Sequence, residues 1–187
     1  MPLSCSETAS PAGKLRLFAN PSALVAILWQ RERPNRVKLS AAAFDPQQPI
    51  LKETERQLVE YFSGQRSEFD LPLRPGGSDF EQKVWRALRA IPFGQTRTYS
   101  DLAIAIGSPK AARAVGAAIG RNPLSIVVPC HRVVGANGSL TGFAGGLAAK
   151  ATLLSLEAKI VASDDRTDKE NRHRFGQTKL TSTQTTN

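Results

Sequence analysis

The chain has 187 residues and a mass of 20.2 kDa, enough to bury a real core in one medium domain or two small ones. Hydrophobic residues make up 41% and charged residues 22%, and no uninterrupted apolar stretch is long enough to cross a bilayer, which argues against fibrous, wholly disordered and membrane-inserted classes. The formal charge is +9, with ten basic against four acidic residues between Asp79 and Ala162, so a polyanionic partner such as nucleic acid is a natural inference.

From the N-terminus, Met1 to Gly13 lacks a basic segment followed by an apolar block, so no secretory signal is predicted. Two thiols, Cys5 and Cys130, do not suggest a disulfide-stapled fold, and an intracellular, reducing compartment fits them best. Strands are predicted where Leu15, Leu17 and Ala19 alternate, across the turn Asn20-Pro21-Ser22 into Leu24 to Trp29, and again around Arg36 to Ala41. Leu51, Thr54, Leu58, Tyr61 and Phe62 have helical spacing, with Gly64 as the stop. Pro72 to Gly77 then breaks regular structure and divides an N-terminal domain, 1–77, from a second domain, 78–162.

In the second domain Ser78 and Glu81 form a capping box ahead of a stripe of Phe80, Val84, Trp85, Leu88 and Ile91. Ser100 is predicted to cap a short helix ending at Gly107, and Ser108-Pro109 to open another that stops at Gly120, a pair resembling a helix-turn-helix. The second helix is nearly all Ala and Gly, with Arg113 as its one long cation. Tight helix packing and insertion into a DNA groove both account for that composition. Leu124 to Val128 reads as a buried strand, Asn137-Gly138 as a hairpin turn, and Leu147 to Ala158 as a last helix, with a disordered tail over 163–187.

The chemistry concentrates in Pro129-Cys130-His131-Arg132-Val133. A thiol becomes a nucleophile as its thiolate, and a neighbouring base or cation favours that form. Pro129 constrains the chain before Cys130, while His131 and Arg132 supply the base and the cation. Adjacent side chains seldom face each other, so a water bridge between Cys130 and His131 is an alternative to a direct bond. His131 also reads as a structural histidine. As a base it needs an orienting acceptor, and Glu157 is the available carboxylate on this side of the chain. Cys5 has no neighbouring Cys or His at metal-ligand spacing, so zinc is not supported and no metal is predicted.

With Gly142-Phe143-Ala144-Gly145-Gly146-Leu147, Tyr99, Lys110 to Gly116 and Asn122-Pro123 in this order, the cysteine motif closely resembles the O6-alkylguanine-DNA alkyltransferases, over about residue 12 to Glu157. The resemblance implies an α+β protein: a small antiparallel sheet with a helix, ribonuclease H-like, followed by a winged-helix domain that docks its second short helix in the minor groove. It implies that Cys130 accepts the alkyl group, His131 is the water-linked base, Glu157 orients it, and Tyr99 crowds the phosphate or contacts the lesion and protonates the leaving base. Arg113 resembles the finger that fills the gap left by the flipped base, with Lys110, Ala112, Ala114 and Gly116 along the same DNA-binding segment. Asn122 matches the brace of the active-site turn, and Pro129, Arg132, Val133, Phe143, Ala144 and Gly145 support the site.

The implied reaction is a one-time transfer from O6-alkylguanine, with O4-alkylthymine as a second candidate lesion, in double-stranded DNA, by a protein without cofactor, metal or membrane partner. The implied protein is a monomer, with cooperative assembly on DNA left open, and cytoplasmic, or nuclear in a eukaryote. Many relatives carry a tyrosine and a hydroxyl residue where Phe143 and Ala144 stand, which predicts a roomier, less polar pocket. Three rivals are a lesion-binding relative that transfers nothing, a redox-sensing helix-turn-helix regulator and a thiol hydrolase. Cys130 weighs against the first, and the small-residue helix has too few base-reading side chains for the second.

Overall fold

The computed structural model describes residues 2–177. The N-terminal half is a four-stranded sheet of β1 (Leu3–Thr8), β2 (Leu15–Asn20), β3 (Ala23–Trp29) and β4 (Ala42–Phe44), with α1 (Pro49–Phe62) packed on one face. The strand order is β3-β2-β1-β4. β1, β2 and β3 pair antiparallel, but β4 runs parallel to β1, so the sheet is mixed where the sequence predicted a purely antiparallel one. The first strand was hidden because the alternation of Leu3-Ser4-Cys5 lapses into three consecutive polar residues, Ser6-Glu7-Thr8. The third predicted strand, at Arg36 to Ala41, is instead an irregular strap, and the chain rejoins the sheet only at Ala42.

α1 starts with Pro49 at its first turn, where a missing N–H costs nothing, and the Gln48 side chain accepts a bond from the Leu51 N–H. It ends at Gly64, whose φ of 79° favours glycine. Leu51, Thr54, Leu58 and Tyr61 face the core as predicted.

The second half is helical. α2 (Asp79–Arg89) carries the predicted capping box, with the Ser78 N–H donating to Glu81 Oε2 at 2.8 Å. The next helix, α3 (Tyr99–Ala105), is capped by Thr98 in a capping box with Asp101, two residues earlier than the predicted Ser100 cap. α4 (Ala112–Gly120) begins later than predicted: Pro109 and Lys110 sit in a turn before it, so Lys110 is not a helical residue. α2, α3 and α4 pack around Val84, Trp85, Leu88, Leu102, Val115 and Ile119, and the Trp85 indole N–H donates to the Ala118 carbonyl at 2.9 Å. β5 (Arg97–Thr98) and β6 (Val133–Val134) pair in parallel, so Val133–Val134 is not a hairpin arm; Asn137 and Gly138 still turn the chain, closed by Gly135 N–H to Ser139 O.

α5 spans Gly146–Gln177, so the predicted disordered tail is helical over 163–177. Residues 163–175 contain no Gly or Pro to stop a helix already anchored by Ala149 and Leu153. Its last part, 178–187, lies outside the described residues. Among the described residues no helix is long and apolar enough to cross a membrane.

The two halves meet along the outer edge of β3. Leu24 bonds with Pro72 and Arg74, and Ile27 donates to the Pro123 carbonyl and accepts from the Ser125 N–H. Trp29, at the end of that strand, reaches furthest across: its indole N–H donates to Ser125 Oγ at 3.1 Å, and its ring meets Phe143 edge-on at 5.5 Å. Gly145 lies so close to the same indole that a Cβ there would stand 2.5 Å from a ring carbon. Gly145→Ala therefore forces the glycine-rich loop off Trp29. We expect a loss of about 1–3 kcal/mol, the usual cost of overpacking, read as a melting temperature lower by roughly 3–10 °C. An unchanged melting curve would mean that this loop moves aside freely.

Candidate active site

The segment from Asn122 to Val134 builds the site. It was predicted to begin with a strand over Leu124 to Val128, but it is a tight turn held from outside. Ser125 is fixed by β3 and Trp29, the Val127 N–H returns to the Ser125 carbonyl at 2.9 Å, and the Val128 N–H to the Leu124 carbonyl at 2.8 Å. Ile126 sits at φ 74°, a region that a β-branched residue enters at a cost of about 1–3 kcal/mol unless its surroundings fix it. Asn122 supplies that constraint. Its Nδ2 donates to the Val128 carbonyl at 2.9 Å while its Oδ1 accepts from the Leu124 N–H at 3.0 Å, closing the turn from both ends.

Past Pro129 the chain forms a short 3-10 turn, Cys130–Arg132, with all three side chains buried. Cys130 is therefore in a turn and not at a strand end. Burial pushes its thiol pKa up; a hydrogen bond involving Asn122 and the charges of Arg36 and Lys150 pull it back without cancelling that rise. The resting group is a neutral thiol and needs a base. Arg132, read from the sequence as the neighbouring cation, points into a different network.

That network centres on Glu157, which lies within α5 and is fully buried. Its Oε1 is 2.7 Å from His131 Nε2 and accepts from the Tyr61 hydroxyl at 2.7 Å. Arg132 donates through Nε to Oε2 at 2.9 Å and through Nη2 to Oε1 at 2.9 Å, while the Gly94 N–H donates to Oε2 at 2.9 Å. Burial on its own would raise the carboxyl pKa, but the hydrogen bonds from His131 and Arg132 outweigh it and hold Glu157 at about 2. Burial pushes His131 down, opposed by Glu157, so the imidazole is neutral. A carboxylate only accepts, so the network assigns the imidazole proton to Nε2 and leaves the lone pair on Nδ1. Among the described residues, His131 Nδ1 is buried and has no hydrogen-bond partner, so its lone pair is unused in this network.

On the other side of Cys130, the buried Lys150 ammonium donates to the Val133 and Thr141 carbonyls, the latter at 2.8 Å, and so pins both margins of the following loop. Burial lowers its pKa, opposed by Cys130. Tyr99 shares a hydrogen bond of 2.9 Å with Thr141 Oγ1 and packs against Gly116 of α4.

Cys130 borders a cavity of about 1020 Å³ together with Tyr99, Asn122, Phe143, Ala144 and the Ala112, Arg113 and Gly116 face of α4. The structure thus brings these predicted residues to one place. His131 and Glu157 lie behind it, and Pro129 and Arg132 border a separate cleft beyond them. Ala114 and Lys110 are exposed but do not line the cavity, and Gly145 faces Trp29. Sequence reading did not single out Tyr61, Gly94, Lys150, Arg36 or Thr141. Tyr61 belongs to the N-terminal half and looks like one more core residue of α1.

These features define a two-domain protein in which a helix-turn-helix and a buried cysteine, backed by a His–Glu pair, face one cavity. Residues 3–75 match the family model for the 6-O-methylguanine DNA methyltransferase, ribonuclease-like domain, and residues 79–159 match that for the 6-O-methylguanine DNA methyltransferase, DNA binding domain. The chain is 45% identical over 148 residues to a methylated-DNA--protein-cysteine methyltransferase of Methanosarcina barkeri, covering 79% of this chain and 92% of that one. It is 45% identical over 157 residues to the protein so named from Mycobacterium tuberculosis, covering 83% and 92%. The crystal structure of Mycobacterium tuberculosis OGT in complex with DNA superposes with a TM-score of 0.77 at 41% identity, covering 86% of this chain and 94% of that one. The chain belongs to the 6-O-methylguanine DNA methyltransferase family.

The buried pair makes the site sensitive to acid. Glu157 titrates below its ordinary 4.5, so the stability it contributes is present above that pH and is lost as pH falls towards 2. Neutral His131 acts in the same direction, because the unfolded chain takes up its proton near 6.5 and the folded chain lower. Wild-type stability in urea titrations is expected to decline below about pH 6.5 and more steeply below about 4.5. Glu157→Gln should start about 3–5 kcal/mol lower, with Arg132 uncompensated, and lose the steep lower limb; an unaltered limb would assign it to other carboxylates.

Proposed function

We propose that this protein repairs alkylated DNA by direct reversal, taking the alkyl group from O6 of guanine onto Cys130 in a single transfer. The observation that carries this reading is the position of Cys130 on a cavity shared with α4, with the His131–Glu157 pair at 2.7 Å behind it. The relatives' activity is read from their names, and the DNA complex of the mycobacterial protein supports DNA as the partner.

In this reading residues 1–77 form one unit and 78–162 the unit that binds DNA and accepts the group. α4 enters the minor groove, where its Ala and Gly residues permit close approach and Arg113, exposed, replaces the extruded nucleotide in the stack. The Cys130 proton passes to His131 Nδ1, through a bridging water, and Glu157 stabilises the imidazolium that results. The sulfur attacks the alkyl carbon as the carbon–oxygen bond to guanine breaks. Tyr99, whose hydroxyl shares a hydrogen bond with Thr141, donates to the departing base and regains a proton through solvent as His131 releases the one taken from Cys130, so that the thiol proton is replaced, in the net balance, by one on guanine. A thioether gives water no activated centre to attack, and each molecule reacts once. With Phe143 and Ala144 on the cavity, its wall offers no side-chain hydroxyl at these two positions, which suits bulkier alkyl groups. Two free thiols, Cys5 and Cys130, fit a reducing, cytoplasmic setting, and the protein is read as acting as a monomer.

Intact mass spectrometry tests the transfer. After incubation with excess duplex carrying O6-methylguanine, the protein should gain the mass of one CH₂ unit, once. Cys130→Ala should gain nothing and still bind the duplex; a chain that stays at its original mass, folded and reduced, refutes the reading. Arg113→Ala should slow reaction with duplex lesions more than reaction with free O6-benzylguanine, and equal losses on both substrates would remove the finger role.

A further inference from the structure

The strap between β3 and β4 is not explained by the transfer chemistry. It leaves the sheet at Trp29, returns at Ala42, and places Arg33, Pro34, Asn35 and Arg36 on the cavity that contains Cys130. Among the described residues that cavity is bordered by four arginines, Arg33, Arg36, Arg113 and Arg121, and by no aspartate or glutamate. Two of the four are neutralised locally. Arg36 forms a two-pronged bond with Glu32, at 2.9 and 2.8 Å, and Arg121 pairs with Glu81. The side chains of Arg33 and Arg113 have no hydrogen-bond or ion-pair partner among the described residues. Unpaired cations gathered around one concave surface focus a positive potential on it and attract an anion.

The strap is also held in place. Arg36 and Glu32 are each only 9% exposed in their side chains, and Glu32 accepts from the Trp29 N–H at 3.0 Å. Arg36 goes on to donate to the Gly120 carbonyl at 3.3 Å and the Asn122 carbonyl at 2.6 Å, at the end of α4. Arg33 lies between these two fixed points, with Pro34 and the left-handed Asn35, φ 57°, setting the turn beside it. A guanidinium on a pinned turn loses less freedom on binding than one on a loose loop, and its planar fork matches a phosphate.

We propose that this strap is a second DNA contact, made by the N-terminal half, in which Arg33 takes a phosphate of the strand that carries the extruded nucleotide. The proposal rests on the DNA-repair reading above and extends it: α4 enters the groove, while the strap grips the backbone where the nucleotide leaves the stack. Because Arg36 ties the strap to Asn122, a phosphate held by Arg33 also bears on the turn that presents Cys130.

The test compares wild type with Arg33→Ala, Arg33→Glu and Arg33→Lys in binding to a methylated duplex over a series of salt concentrations. Loss of one phosphate contact should weaken binding roughly 3- to 10-fold at low salt and make the slope of log K against log salt shallower by about 0.9 for Arg33→Ala. Arg33→Glu should weaken it further, and Arg33→Lys should keep the slope. Reaction with free O6-benzylguanine should fall less than reaction with the duplex. An unchanged affinity and slope in both Arg33→Ala and Arg33→Glu overturns the strap contact, and so does an equal loss on duplex and free base. A wild type that binds duplex with the full slope yet gains no mass overturns the transfer reading instead, and the strap contact is then judged on binding alone.

Discussion

One carboxylate holds the site together. Glu157 is removed from water and still charged, a state that costs several kcal/mol unless every lone pair is used. Here they are used: Arg132 covers both oxygens, Gly94 supplies a backbone N–H, Tyr61 a hydroxyl and His131 its Nε2. The partners come from α1, the loop after α2 and the 3-10 turn, so a single charge organises three parts of the chain. Its consequence for chemistry is the tautomer of His131. With the proton fixed on Nε2, Nδ1 keeps a free lone pair, which is what the proposed transfer asks of it once substrate is in place.

The halves share this site more than the cysteine motif suggests. Tyr61 and Trp29 belong to the N-terminal half, yet one bonds the Glu157 carboxylate and the other holds both Ser125 and the loop at Phe143. Lys150 fixes the same loop from α5 through two backbone carbonyls. The turn at Ile126 is kept in a costly conformation by this convergence, with Asn122 bonded across it. A substitution in the sheet can therefore reach the turn that carries Cys130 without touching it.

Much of this was legible in the sequence where local chemistry and periodicity agree. The stripe of α1, the capping box at Ser78 and the helix pair follow from spacing, whereas Tyr99, Arg113, Asn122, Phe143 and Ala144, which border the cavity, were legible only through the resemblance to the alkyltransferases. What escaped depends on tertiary contacts. β1 has weak alternation and is defined by its neighbours; Leu124 to Val128 is apolar enough for a strand, but Asn122 and β3 bend it into a turn. Arg132 stands beside Cys130 in sequence and serves Glu157 in space, while the charges that act on the thiol, Arg36 and Lys150, come from distant segments. Adjacency along the chain does not report the direction of a side chain in a tight turn.

The outer edge of β3 is completed by residues that are made much later. Ile27 pairs with Leu124, roughly a hundred positions on, and such remote pairings carry a loop-closure penalty before they return any stabilisation. During synthesis this strand is made before any of its edge partners, Pro72 to Arg74 first and Pro123 to Ser125 much later. The turn that carries Cys130 is thus tied to the sheet by contacts of high sequence separation, the kind that close late and at an entropic cost.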